Sequence, residues 1–169
     1  MRAGQKQEQL GDVRAVPMKI ITVTKGNSEG AVLMAAEWVE KIKYYGPFTQ
    51  VQIKPNPKRA AAVDIALLGE GEKVLKAILP GERVVILCER GKELTSEGLA
   101  DLLRKAGEDN TPLTFCIGGP FGHSDAVRAR STDTIRLSRM VMNHSVAHVM
   151  LLEQLYRSQT ILRNEPYHH

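Results

Sequence analysis

Residues 113–123 read LTFCIGGPFGH. A β-capable run from Leu113 to Ile117 breaks into Gly118-Gly119-Pro120 and then Phe121-Gly122-His123. Ser124 follows as the N-cap of a short helix predicted through Arg130. An apolar strand that ends in two glycines marks a backbone that turns tightly or that another group approaches closely. In an α/β protein the C-terminal end of a strand is also where ligands sit. On these eleven residues alone a plain strand-to-helix turn and a ligand-facing loop both stand. The stretch is neither GxGxxG nor GKS/GKT, so the dinucleotide and P-loop fingerprints are absent.

Working outward, Arg83 to Leu87 (RVVIL) is an almost continuous apolar run, the pattern of an interior parallel strand covered on both faces, with Cys88 to Lys92 as its exit. After the glycine turn come a last short strand, Thr134 to Ser138, the loop MVMNH (140–144), and a helix from Ser145 to about Leu162. Toward the N-terminus, Lys19 to Thr24 reads as a first strand. Ala31, Ala35, Trp38, Ile42 and Tyr45 recur at helical spacing, with Trp38 expected in the core. Phe48 to Lys54 is more polar and suits an edge strand. The alanine- and leucine-rich segment from Lys58 to Ile78 reads as a helix broken or distorted at Gly69 and Gly71. Thr95-Ser96-Glu97 opens a further helix whose inner face is Leu99, Leu102, Leu103 and Ala106. Strands and helices thus alternate in one α/β layered domain over 18–169, preceded by a polar, flexible extension over 1–17.

The composition narrows the function classes. Basic residues number 23 against 19 acidic, a net charge of +4 that permits an anionic partner without specifying nucleic acid. No apolar run reaches membrane-spanning length, and the N-terminus has no signal-peptide core. Cys88 and Cys116 both lie in apolar strand-like runs and read as buried small hydrophobes rather than disulfide or zinc ligands. All five histidines (123, 144, 148, 168, 169) fall in the last third of the chain.

Three strand exits gather at one end of such a sheet: Cys88 to Lys92, Gly118 to His123 and Ser138 to His144. A small organic ligand fits there against backbone N–H and C=O groups, with apolar walls from Leu87, Ile117, Met140 and Met142. His144 and His148 are four apart, but they lack the HExxH pattern and a third ligand, so no metal is expected. Glu153, inside an apolar helix, calls for a partner such as Arg157 at i+4. The tail EPYHH places an aromatic beside two imidazoles, a combination suited to stacking on a base.

Together MKIITVTKG, ERGKELTSEGLA, FCIGGPFGH and IRLSRMVMNHSVAHVMLLEQLYRSQTILRNEPYH resemble the RlmH family over the chain from about Met18 to its last residue. Members of that family are SPOUT-class methyltransferases that methylate N3 of a pseudouridine in large-subunit ribosomal RNA. The resemblance implies a Rossmann-like parallel sheet with a C-terminal trefoil knot, which no periodicity signals. It implies S-adenosylmethionine bound by Leu87, Gly118, Gly119, Ser138, Arg139, Met140, Val141, Met142 and Asn143, with His144 adjacent. It further implies a homodimer in which one subunit's tail reaches the other's cofactor, so that His168, Tyr167 and His144 carry the catalytic roles. His168 is then the first candidate for base or orienter, and Arg136, Arg139 and Arg157 for phosphate contacts. Two departures stand out: Asn143-His144 where relatives commonly carry Pro-His, and Tyr167-His168-His169 where many end in Tyr-His-Lys or Tyr-His-Arg. The N-terminal extension resembles plant and algal forms, so the cytoplasm, a plastid and a mitochondrion are all open as locations. The alternatives are a SPOUT enzyme with a tRNA or ribose 2′-hydroxyl target, and a non-enzymatic ribosome- or RNA-binding protein.

Overall fold

The computed structural model describes residues 13–56 and 62–169. The first twelve residues of the expected extension, and the Lys58 start expected for the second helix, lie outside them. Ten elements follow in strict alternation: β1 (Met18–Val23), α1 (Glu29–Lys43), β2 (Phe48–Ile53), α2 (Val63–Ala77), β3 (Arg83–Glu93), α3 (Ser96–Glu108), β4 (Leu113–Ile117), α4 (Asp125–Arg130), β5 (Asp133–Arg136) and α5 (His144–Leu162). The strands form one parallel sheet in the order β2-β1-β4-β3-β5. β2 is an edge and β3 an interior strand, as their polarity predicts. None of the described helices is long and apolar enough to cross a membrane.

Period-two alternation sorts the strand side chains onto two apolar faces. Ile20, Val85, Leu113 and Phe115 pack with α1, α3 and α5, whereas Ile21, Val84, Ile86 and Cys116 pack with α2 and α4. Every residue of β4 is buried. This explains why Leu113 to Ile117 carries no polar alternation except Thr114, whose hydroxyl donates to Glu82 Oε2 at 2.8 Å.

Four expectations are corrected. The flexible extension stops short of residue 17, because Val16 is buried, Val13 packs against the same core, and the Pro17 carbonyl accepts from Leu113 N. Gly69 and Gly71 do not break α2, which runs unbroken from Val63 to Ala77. Gly71 is small because α4 crosses there: a Cβ on it would lie 2.2 Å from Ser124 Oγ. β3 does not end at Leu87. Its pairing with β5 jumps from Leu87 to Lys92, both opposite Ile135, so residues 88–91 bulge and the strand resumes to Glu93. Trp38 is only partly buried, at the rim of the core rather than within it.

The parallel sheet wrapped by helices is the SPOUT-type arrangement expected, and it is consistent with a trefoil-knotted chain.

Candidate functional site

The sheet order reverses direction between β1 and β4, and in open α/β sheets a crevice forms outside the strand ends at such a point. A cavity of about 880 Å³ lies there. Its floor is the exits of four strands: Val23 to Lys25 after β1, Leu87 to Arg90 within the β3 bulge, Ile117 to His123 after β4, and Arg136 to Ser138 after β5. Met140 to His144 complete its wall.

The glycine turn is shaped first by its own backbone. A Cβ on Gly118 would sit 2.7 Å from the Gly122 carbonyl oxygen, and Gly122 N donates back to Gly119 O at 2.9 Å. Gly122 adopts a φ of 78°, the left-handed region that favours glycine. The tight-turn reading therefore holds, and the same turn lines the cavity. Behind it, His123 is buried and donates from Nε2 to Leu87 O at 3.1 Å, tying the β4 exit to the β3 exit. Burial pushes the His123 imidazole below its ordinary pKa, against the opposing effect of that hydrogen bond.

Cys88 departs from the expected buried hydrophobe. It is half-buried and lines the cavity, with Arg128 Nη1 at 3.7 Å from its sulfur. Burial opposes its ionisation, but hydrogen bonds from Arg90 and Arg128 outweigh that and lower its pKa. Cys116, within β4, is instead pushed up to about 12 by burial.

At the start of α5, Asn143 supplies what proline at that position lacks, a side-chain N-cap. Its Oδ1 accepts from Ser145 N at 2.8 Å. His144 follows into the cavity wall, its pKa lowered by burial despite a hydrogen bond with the Gly118 backbone. His148 does not join it in a metal site. Its two nitrogens are taken by Asn27 Nδ2 (3.2 Å) and Gln50 Oε1 (2.8 Å), those of a satisfied core histidine.

Of the residues expected at a ligand, Leu87, Gly118, Gly119, Ser138, Met140, Val141, Met142, Asn143 and His144 all line this cavity. Arg139 does not. It is turned outward, and its Nε donates to Glu93 Oε2 at 2.9 Å, an oxygen it shares with Arg136. Tyr167 and His168 also lie outside the cavity lining. Tyr167 donates to Glu153 Oε1 at 3.0 Å beneath the Arg157 guanidinium, and its ring meets Tyr156 and Trp38 edge-on. The expected Glu153–Arg157 pair is present at 2.8 Å. His168 Nε2 lies 2.9 Å from Glu97 Oε1. Sequence reasoning missed Thr24 and Lys25, although a strand exit followed by Gly26 carried the same signal as the exits at Gly91 and Gly118. It also missed Arg128, which only the fold brings beside Cys88.

Two nitrogens indicate what the cavity takes. Arg136 Nε and His144 Nε2 are buried, belong to cavity residues and have no hydrogen-bond partner among the described residues. Buried polar atoms left in this way are costly unless something meets them. With apolar walls at Leu87 and Ile117 and backbone groups at the glycine turn, the residues fit a mid-sized ligand of mixed apolar and polar character.

A model of the family described as "Predicted SPOUT methyltransferase" matches residues 16–168. An Arabidopsis thaliana protein named "Putative RNA methyltransferase" is 45% identical over 158 residues, 93% of this chain and 82% of that protein. The ribosomal RNA large subunit methyltransferase H of Parabacteroides distasonis is 36% identical over 157 residues, 90% of this chain and 99% of its own. A crystal structure of a "probable methyltransferase" from Bordetella pertussis shares the fold at a TM-score of 0.54 and 17% identity, covering 85% of this chain and 96% of that one.

Proposed function

The chain belongs to the SPOUT methyltransferase family and is of the RlmH type, and on that premise we propose that it moves a methyl group from S-adenosylmethionine to N3 of a pseudouridine in large-subunit ribosomal RNA. The observation that carries this reading is the cavity at the β1, β3, β4 and β5 exits, with its two unmet nitrogens. When bound, S-adenosylmethionine supplies an electrophilic methyl group on a positively charged sulfur. Leu87 and Ile117 provide the apolar surface for an adenine ring, and Gly118 and Gly119 present bare backbone beside it. Ser138 and Met140 to Asn143 cover the opposite side. Burial keeps His144 uncharged near neutrality, so it adds no second cation beside a cationic donor. Arg136 offers Nε to an anionic or carbonyl group of either ligand.

The N3–H of a uracil-type ring is a weak acid, so the protein must hold that nitrogen in line with the methyl group and receive its proton. His168 and Tyr167 are the groups suited to this, yet neither reaches the cavity of its own chain. We therefore assign the active form to a homodimer, in which the tail of one copy faces the cavity of the other. The exposed apolar side chains of Met140 and Val141, at the cavity, and of Val146 in the first turn of α5 give a second copy a surface to cover. A ribosomal target places the protein wherever its large subunits are, in the cytoplasm, a plastid or a mitochondrion.

The test is methyl transfer from labelled S-adenosylmethionine to separated large subunits, small subunits and tRNA, followed by mapping of the labelled nucleoside. Label on a pseudouridine of the large subunit is the expected result. Label on tRNA or on a ribose oxygen would replace the target, and no label with no cofactor binding would remove the reading.

A further inference from the structure

Among the described residues a third buried side-chain nitrogen lacks a partner, and it is His168 Nδ1, outside the cavity lining. The ring's other nitrogen is anchored: Nε2 lies 2.9 Å from Glu97 Oε1. Glu97 stands in the first turn of α3, where the exposed backbone N–H groups of a helix favour a negative charge. Its carboxyl is held below the usual range by its own backbone N–H, the Thr95 hydroxyl and His168. An ionised carboxylate only accepts hydrogen bonds, so the hydrogen of a neutral ring sits on Nε2 and the lone pair on Nδ1. One edge of the imidazole is thus fixed, and Nδ1 on the opposite edge is a buried acceptor without a hydrogen-bond partner among the described residues, so a base meets it only where the atoms that cover it give way. Arg157 and Glu153 hold the neighbouring Tyr167.

We propose that Glu97 is a positioning residue for the methyl transfer, anchoring His168 through Nε2–H so that Nδ1 accepts the N3–H proton of the target base. The inference rests on the reading of His168 as the group that meets the base. In the step, the N3–H proton passes to Nδ1 and the nitrogen keeps the electron pair. That pair forms the N3–C bond while the carbon–sulfur bond of the donor breaks, its electrons staying on sulfur. The imidazolium left behind faces the Glu97 carboxylate, which stabilises it, and the thioether product is neutral.

The test is a mutant cycle on the full-length protein, measuring single-turnover methyl transfer to unmethylated large ribosomal subunits, with S-adenosylmethionine affinity and thermal stability measured in parallel. His168→Ala is expected to lower the rate by about 100-fold or more. Glu97→Ala is expected to lower it by roughly tenfold, with cofactor affinity unchanged and the melting temperature lowered only slightly. Glu97→Gln, whose carbonyl still accepts from Nε2–H, is expected to recover most of that loss. The double variant is expected to be no slower than His168→Ala, because a residue that acts through another adds nothing once the other is gone. Losses that multiply in the double variant, or a Glu97→Ala enzyme at full rate beside a slow His168→Ala enzyme, would overturn the role of Glu97 and leave that of His168 standing. A His168→Ala enzyme at full rate would instead remove the His168 reading itself.

Discussion

Gly91 lies directly against the backbone of Ile135: a Cβ built on Gly91 would sit 2.4 Å from the Ile135 carbonyl carbon and 2.6 Å from its oxygen. This contact is what allows β3 to bulge at 88–91 and then rejoin β5, so that Leu87 and Lys92 both pair with Ile135. Both neighbours are backbone, which cannot swing aside as a flexible side chain would. Gly91→Ala should therefore destabilise the protein by roughly 1–3 kcal/mol or more, the range for overpacking a rigid contact. Gly30→Ala is the control. Gly30 has open space around its Cβ position inside α1, and the change there should stabilise by up to about 1 kcal/mol. Urea denaturation of the two variants checks both signs.

The glycine turn gives a prediction about binding rather than folding. A Cβ on Gly118 would meet the Gly122 carbonyl oxygen at 2.7 Å, so Gly118→Ala forces the 118–122 turn open. Because that turn is one wall of the cavity, S-adenosylmethionine affinity should fall by about tenfold or more, equivalent to roughly 1.4 kcal/mol. Calorimetric titration measures it. Undiminished affinity would mean that the cofactor does not use this wall.

Acid stability follows from three histidines. Burial lowers the pKa values of His123, His144 and His148 from 6.5, and for His148 the neighbouring His144 adds to the effect. The unfolded chain thus binds protons near pH 6.5 that the folded chain refuses, and the slope of unfolding free energy with pH is positive there. Stability should be full above pH 6.5 and decline as the pH falls through 6.5 toward the lower folded values. The depressed carboxyls of Glu82, Glu93 and Glu97 add their own loss only below their reference value of 4.5. Denaturation midpoints between pH 7.5 and 5 test the first stage, and His148→Gln should flatten that slope.

Legibility in the sequence followed the range of the forces involved. Arg83 to Leu87 and Leu113 to Ile117 were readable because burial on both faces of a parallel strand leaves a nearly continuous run of apolar residues, interrupted only by Thr114 in the second. Ser124 and Thr95 were readable as helix starts because a cap is a contact three residues long, and both side chains do accept from the expected backbone N–H. Gly71 and Gly91 were not readable. Each is small because of a backbone or side chain more than forty residues away in sequence, and a glycine forced by a distant neighbour looks the same as one that breaks a helix or ends a strand. Arg139 was misplaced for a similar reason, since its partner Glu93 arrives only with the resumed half of β3. The strand exits located the cavity, but the seat of Tyr167 on its own chain depends on Trp38, Tyr156 and Glu153 coming together.

That seat can be watched directly, because Trp38 is the chain's single tryptophan. Its ring centroid lies 5.6 Å from that of Tyr156 and 6.4 Å from that of Tyr167, with Lys41 Nζ 4.4 Å above it. Tyr167 shields one edge of the indole from water, so deleting residues 167–169 should shift Trp38 emission to the red. Methyl transfer should be lost in the same variant while S-adenosylmethionine binding is largely retained, since the tail does not line the cavity of its own chain. Tyr167→Phe separates the two contributions of that side chain. It keeps the ring against Trp38 and removes the 3.0 Å hydrogen bond to Glu153, at a cost of about 0.5–1.5 kcal/mol in tail docking. Its emission should stay close to the wild type while activity falls only in part. An emission maximum unmoved by the deletion would show that the tail does not rest on Trp38 in solution.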